Sequence, residues 1–319
     1  MTKLGRGAEF DLIRRFLAAD AERRLPDDVM VGPGDDAAVV SAHPLAISTD
    51  LSIEGVHFRR DWLEPEEIGW RAAMAALSDL AAMAARPVGL FISVAASAED
   101  ARGFVERVVA GAADAGRALG ARLLGGDVTR SPGPLVLDVV VAGEVTHPLR
   151  RDGARAGDEV WVTGRLGAPA MAVRDWLGGT RPASAAHERF ARPCARTREV
   201  RWLRERADLT AGIDLSDGIA GDVPHVAAAS GVAIVLDRDS IPVHSAAASA
   251  PELALTGGEE YELCLVCPPG ALAGVAGAFE AEFDLPLTRI GSVEQGTGVR
   301  ISHGGRLEEL PPPGFSHFQ

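Results

Sequence analysis

Six aspartates recur in short motifs rich in glycine, serine or threonine. Asp36 closes GDD at 34–36, Asp50 ends ISTD, Asp79 lies in ALSDL, Asp127 closes GGD at 125–127, and Asp214 and Asp217 frame DLSDG at 214–218. Hard divalent cations such as magnesium take oxygen ligands, use one or two carboxylates per ion and share substrate phosphates. Aspartates on separate elements facing one cleft, with hydroxyls such as Ser48 or Thr49 beside them, therefore suit several magnesium ions handling phosphate. Singly, each residue has a plainer use: Asp217 as a helix cap, Asp79 as helix surface, His57 as a loop histidine, Arg151 as a solvated charge. Of the adjacent Asp35 and Asp36, strand alternation lets only one face the cleft.

Charge and composition narrow the chemistry. The net charge of −13 argues against a nucleic-acid binder, which needs a basic footprint. Lys3 is the only lysine, and neither G-x-x-x-x-G-K-[ST] nor H-R-D occurs, which removes the two common lysine-dependent kinase folds. Gly32, Gly34 and Ala37 imitate a dinucleotide fingerprint, but Pro33 and two aspartates interrupt it and Ala37–Val40 reads on as strand. Cys194, Cys264 and Cys267 are a sparse set fitting a reducing compartment; the C-x-x-C lies in the strand-like YELCLVCPP and reads as packing. No apolar run approaches the ~20 residues of a membrane helix, so a cytoplasmic, membrane-free protein is expected.

The elements that must position these residues alternate along 319 residues, of which 47% are hydrophobic, enough for two cores. Helices are expected over 8–19, 65–85, 99–118, 167–178, 218–230 and 270–281, with an arginine-rich helical stretch at about 184–206. Strands are expected at 88–96, 121–128, 134–145, 158–163, 212–215, 232–236, 261–267 and 286–293. Ser216 or Asp217 is expected to cap the helix from 218. The fold class is α/β and α+β, with an N-terminal sheet-and-helix domain, 1–146, and a C-terminal α+β domain, 147–319. The proline-rich tail PPPGFSHFQ reads as an extended cover.

In order, ISTDLSIEGVHF, SDLAAM with Arg86-Pro87 behind it, GGDVTR, RRDGARAGD, GIDLSDG, GGEEYEL and the terminal GFSHF resemble the thiamine-monophosphate kinase family. That family shares its superfamily with aminoimidazole ribonucleotide synthetase, selenophosphate synthetase and a hydrogenase-maturation dehydratase. The resemblance spans nearly the whole chain and implies the two-domain aminoimidazole ribonucleotide synthetase-like fold, a homodimer through the N-terminal domain, and ATP with magnesium between the domains. It implies magnesium ligands at Asp36, Ser48, Thr49, Asp50, Asp79, Asp127, Asp214 and Asp217. ATP contacts fall at Gly126, Asp127, Arg151 and Ser216, and thiamine monophosphate contacts at His57, Glu259 and Phe315. The implied reaction is the last step of thiamine diphosphate biosynthesis: direct in-line transfer of the ATP γ-phosphoryl to the acceptor phosphate, with Asp50, Asp127 and Arg151 central to catalysis. The acceptor oxygen is already ionised, so no general base is needed and the work is positioning and charge neutralisation. The chain departs from the family at Ala76, Ala84, Val128 and Glu260, and lacks an aromatic near Ala110. A relative with another acceptor and a silent nucleotide- or metal-binding protein are the competing readings. No cysteine precedes Cys194, which disfavours the selenophosphate branch.

Overall fold

The computed structural model describes residues 29–31, 39–41, 44–100 and 103–314. The helix expected at 8–19, Asp36 and Phe315 lie outside the described residues. Two compact units form: the described residues up to Leu80 with Ala85–Thr146, and Ala81–Ala84 with His147 onward.

In the first unit, β1 (Val29–Val31) and β2 (Val39–Val40) pair as a two-stranded ribbon. The main sheet runs β3 (Leu45–Ile53), β6 (Val136–Glu144), β4 (Arg86–Ala96), β5 (Arg122–Arg130). β3 and β4 are both antiparallel to β6, while β4 and β5 are parallel, joined by a crossover helix. That crossover is α2 (Phe104–Ala118), and α1 (Pro65–Ala82) enters from β3. Pro65 supplies the fixed φ of a first helical turn, and Glu66 and Glu67 favour the positive end of the helix dipole. From Ala72 to Ala82 nearly every side chain of α1 is buried, as an apolar helix without a polar face requires. α1 and α2 touch backbone to backbone. A Cβ on Gly69 would lie 1.7 Å from the Val108 carbonyl oxygen and one on Gly111 1.9 Å from that of Glu66, so only glycine permits this crossing. α1 stops at Ala82, short of the expected residue 85, because Ala84 turns left-handed (φ 56) before β4 begins at Arg86.

The second unit is built on a seven-stranded mixed sheet, ordered β13 (Arg306–Glu309), β12 (Gly298–His303), β9 (Ala233–Asp237), β11 (Leu287–Glu294), β7 (Glu159–Thr163), β10 (Glu262–Cys267), β8 (Ala211–Leu215). Both faces are covered, which explains why β7, β8 and β10 read as continuous apolar runs. One face packs Val160, Ile213, Leu215, Ile234 and Leu236 with Val223 and Val226 of α6 (Ile219–Ser230). The other packs Trp161, Leu263 and Leu265 with Val200 and Leu203 of α5 (Thr197–Arg204) and Phe279 of α8 (Ala276–Phe283). Cys264 belongs to the first cluster and Cys267 to the second. Three residues apart on a strand, they point to opposite faces and are both free thiols, as the packing reading expected.

The structure refines the sequence reading at three points. The helical stretch at about 184–206 resolves into two helices, α4 (Ser184–Ala191) and α5, separated at Arg192-Pro193 because proline ends the first. α6 is capped by Gly218 without a side-chain hydrogen bond, so neither Ser216 nor Asp217 is its cap. β12 and β13, an edge hairpin turned at Gly304-Gly305, were not anticipated. Between α4 and β7 lies α3 (Ala168–Leu177), and a one-turn α7 (Leu253–Thr256) precedes β10. Among the described residues no helix is long and apolar enough to cross a membrane.

Candidate active site

In the first unit, the end of β3 carries the oxygen donors expected from the sequence. Alternation places Ser48, Asp50 and Ser52 on one side and Ile47, Thr49 and Leu51 on the other. The Ser48 hydroxyl donates to a carboxylate oxygen of Asp79, tying β3 to α1. Asp50 lies two residues on, on the side of Ser48, and is half-buried. Thr49 turns away, and its hydroxyl donates to Asp138 Oδ1 at 2.7 Å. Ser48, Asp50 and Asp79 are thus brought to one side of the sheet and the Thr49 hydroxyl to the other.

Asp127 is set apart from that group. The register runs Leu51, Asp138, Ser93, Asp127 across the four strands, while Asp50 shares its row with Val139, Ile92 and Gly126. Three strand spacings put Asp127 roughly 14 Å from β3, too far to share an ion with Asp50. It is exposed, and its Oδ1 accepts the Val128 amide at 2.9 Å. Gly126 must be glycine, since a Cβ would lie 1.8 Å from the Ile92 carbonyl oxygen.

His57 sits on the turn after β3, opened by Gly55 at φ 84. The Ile53 amide donates to His57 Nδ1 at 3.1 Å, so the neutral ring carries its proton on Nε2. Arg60 fixes this turn: it grips Asp100 through both carboxylate oxygens at 2.6 and 2.9 Å, pairs with Glu54 at 2.7 Å and stacks over Phe104. The Arg60 guanidinium holds the Asp100 carboxyl below the usual range.

In the second unit, the end of β8 gathers a second set. Asp214 is buried on β8, and the Ser216–Gly218 turn follows with Ser216 and Asp217 exposed. The loop before β10 is stitched to this turn: the Glu259 amide donates to the Ser216 carbonyl at 2.7 Å and the Tyr261 amide to that of Leu215 at 2.8 Å. Glycines allow the approach, because a Cβ on Gly218 would sit 2.2 Å from the Gly257 carbonyl oxygen and one on Gly258 2.5 Å from that of Ser216. The Tyr261 hydroxyl donates to Glu259 Oε2 at 2.6 Å. The tail reaches the same loop, the Gly314 amide donating to the Thr256 carbonyl at 3.0 Å. Asp214, Ser216, Asp217, Glu259 and the residue preceding Phe315 therefore meet at one end of the sheet. Arg151 is exposed, and its carbonyl accepts the Ser230 hydroxyl at 2.7 Å. Its neighbour Arg150 is paired with Asp152.

The sequence reading missed Asp222. It is buried in the first turn of α6, and one of its oxygens accepts the Asp217 amide at 2.9 Å. Burial, then the charges of Asp214 and Asp217, push its carboxyl up to about 8. The available signal was its spacing, one helical turn beyond DLSDG.

Among the described residues no three His, Cys, Asp or Glu side chains close on one point as a ready-made metal cage. The donor sets still suit magnesium, which takes few carboxylates and completes its shell with water and phosphate. The carboxyl forced up at Asp222 marks an acidic end of β8 that a cation would relieve.

Known proteins share this architecture and length. A family model described as AIR synthase related protein, N-terminal domain, matches residues 34–145, and its C-terminal counterpart matches 155–304. The thiamine-monophosphate kinase of Salmonella typhimurium is 34% identical over 334 residues, covering 97% of this chain and 98% of that protein. The crystal structure of thiamine-monophosphate kinase from Stenotrophomonas maltophilia K279a superposes with a TM-score of 0.80 at 34% identity, covering 95% of this chain and 98% of that one. AaThiL complexed with AMPPCP and TMP matches with a TM-score of 0.74 at 29% identity over 97% of each chain. On this full-length likeness, in a fold of two AIR synthase-related domains, the chain belongs to the thiamine-monophosphate kinase family.

Proposed function

We propose that this chain phosphorylates thiamine monophosphate with ATP and magnesium, giving thiamine diphosphate by direct in-line transfer. The observation that carries the reading is the meeting of the DLSDG turn, the Glu259 loop and the C-terminal tail at the end of β8. The relative holding both AMPPCP and TMP supports the pairing of substrates. Asp50, Asp79 and Ser48 in the first unit, and Asp214 and Asp217 in the second, would hold magnesium together with Asp36. Thr49 is a weaker candidate through its side chain, since its hydroxyl is engaged by Asp138. Asp127 would serve a separate ion or the nucleotide, beside the Gly126 backbone. Magnesium supplies charge neutralisation at the phosphates when bound.

Arg151, exposed on its loop, would add positive charge to the ATP phosphates, and Ser216 a hydroxyl. His57, locked as an Nε2–H donor by the Ile53 amide, would donate to thiamine monophosphate. Glu259 would face the same molecule, and Phe315, directly after the anchored Gly314, would offer a π face to its cationic ring. The acceptor phosphate needs no base, so these side chains orient two anions and offset their repulsion.

The outer side of the first unit's sheet supports the expected homodimer: Ile47 and Leu51 are 66% and 52% exposed, a cost in water that a second copy's matching face would remove. A cytoplasmic location fits the free cysteines. Incubating the purified protein with ATP and magnesium, with and without thiamine monophosphate, tests the reading. ADP formed only with the acceptor supports it; acceptor-independent hydrolysis or no turnover refutes it.

A further inference from the structure

Glu259 and Tyr261 both adopt left-handed backbone, φ 70 and 52, which residues with side chains rarely accept. Something must hold them there, and the residue between them is the structural anomaly. Glu260 is 1% exposed; its Oε1 accepts the Gly167 amide, and its Oε2 has no hydrogen-bond partner. A buried polar atom left unpartnered is costly. Gly167 cannot yield. It caps α3 at φ 96, and a Cβ there would lie 3.0 Å from the Ala247 Cβ and 3.1 Å from the Ala254 amide nitrogen.

We propose that Glu260 is a positioning residue for substrate: its inward carboxyl pins the left-handed segment to the fixed start of α3 and so aims Glu259 at thiamine monophosphate. This rests on the reading of Glu259 as a substrate contact. The charged groups around Glu260 are Arg189, Glu262 and Glu259. Arg189 is committed to Glu262, at 2.7 Å, in a buried network with Arg196 and Thr163, which leaves Gly167 as the hydrogen-bonded anchor. Burial pushes the Glu260 carboxyl up to about 8, so it sits as a neutral acid at neutral pH and glutamine reproduces its acceptor oxygen.

The test is steady-state kinetics on Glu260→Leu, Glu260→Gln and Glu259→Ala, with thermal melting of each. Glu260→Leu fills the volume but accepts no hydrogen bond. It is expected to raise KM for thiamine monophosphate about tenfold or more with KM for ATP little changed, and to lower Tm by a few degrees because the Gly167 amide loses its acceptor. Glu260→Gln is expected to keep the parent KM. An unchanged acceptor KM in Glu260→Leu, or a parallel rise in both KM values, overturns the inference. If Glu260→Leu fails to fold, Glu260→Gln decides: a parent-like acceptor KM supports pinning through the acceptor oxygen, and a raised one overturns it. No effect of Glu259→Ala removes the underlying reading and this inference together; a raised KM in Glu259→Ala beside a silent Glu260→Leu sinks this inference alone.

Discussion

The two acidic ends of the molecule solve the same problem differently. At the end of β8, carboxylates are crowded and partly buried: Asp214, Asp217 and Asp222 bear on one another, and Asp222 is driven up to about 8. At the end of β3, Asp79 is already quieted by the Ser48 hydroxyl, and Asp50 stands half-buried beside them. The first stores repulsion that a cation would release; the second is a pre-formed set of oxygens that a cation would complete. Crowding sharpens affinity for charge, whereas neutral donors fix geometry.

Breaking the β3 end should have the largest effect. Asp50→Asn is expected to lower kcat by about a thousandfold or more, the scale of losing a charge that stabilises phosphoryl transfer, with an unchanged circular-dichroism spectrum. Near-parent turnover in that variant would falsify the role given to Asp50.

The β8 end should instead show itself in pH dependence. In cation-free protein, Asp222 and Glu260 hold protons up to about 8 when folded, whereas unfolded they lose them near the ordinary carboxylate values of 3.8 and 4.5. The folded state binds more protons in that interval. Stability is therefore full below those ordinary values and falls as pH rises toward about 8, by at most about 1.4 kcal/mol per pH unit for each group. Denaturation midpoints between pH 5 and 8 check this. Asp222→Asn should flatten the slope, and a stability rising with pH would reverse the sign.

Smaller effects separate the mechanisms further. Ser48→Ala removes one hydroxyl donor from Asp79 and is expected to cost about tenfold in kcat/KM, through the magnesium dependence, with about 1 kcal/mol of stability. Leu51→Asp on the outer sheet face should leave Tm of the isolated chain within a few degrees while shifting sedimentation toward monomer. Retention of a dimer by this variant would place the partner surface elsewhere.

Much of this was legible in the sequence where periodicity is strong. α1 announced itself by Pro65, its acidic first turn and an alanine-rich, mostly apolar body, and β10 by YELCLVC. The break at Pro193 was equally visible, since proline stops the helix that ends at Ala191. β12 and β13 form a short, mostly exposed hairpin of which β13 is the sheet edge, so burial left no apolar alternation to read. Asp222 lies outside every motif and matters only because α6 folds its first turn back onto Asp217.

The sequence alone determined which residues could bind phosphate-borne charge and in what order they come, because spacing and residue type survive without coordinates. Tertiary structure alone decided which share a side: a strand turns neighbouring side chains to opposite faces, so Ser48 meets Asp79 while Thr49 meets Asp138. Register separates Asp50 from Asp127 by three strand spacings. The physical reason is that pairing and burial are long-range, and fix distances that adjacency along a chain leaves open.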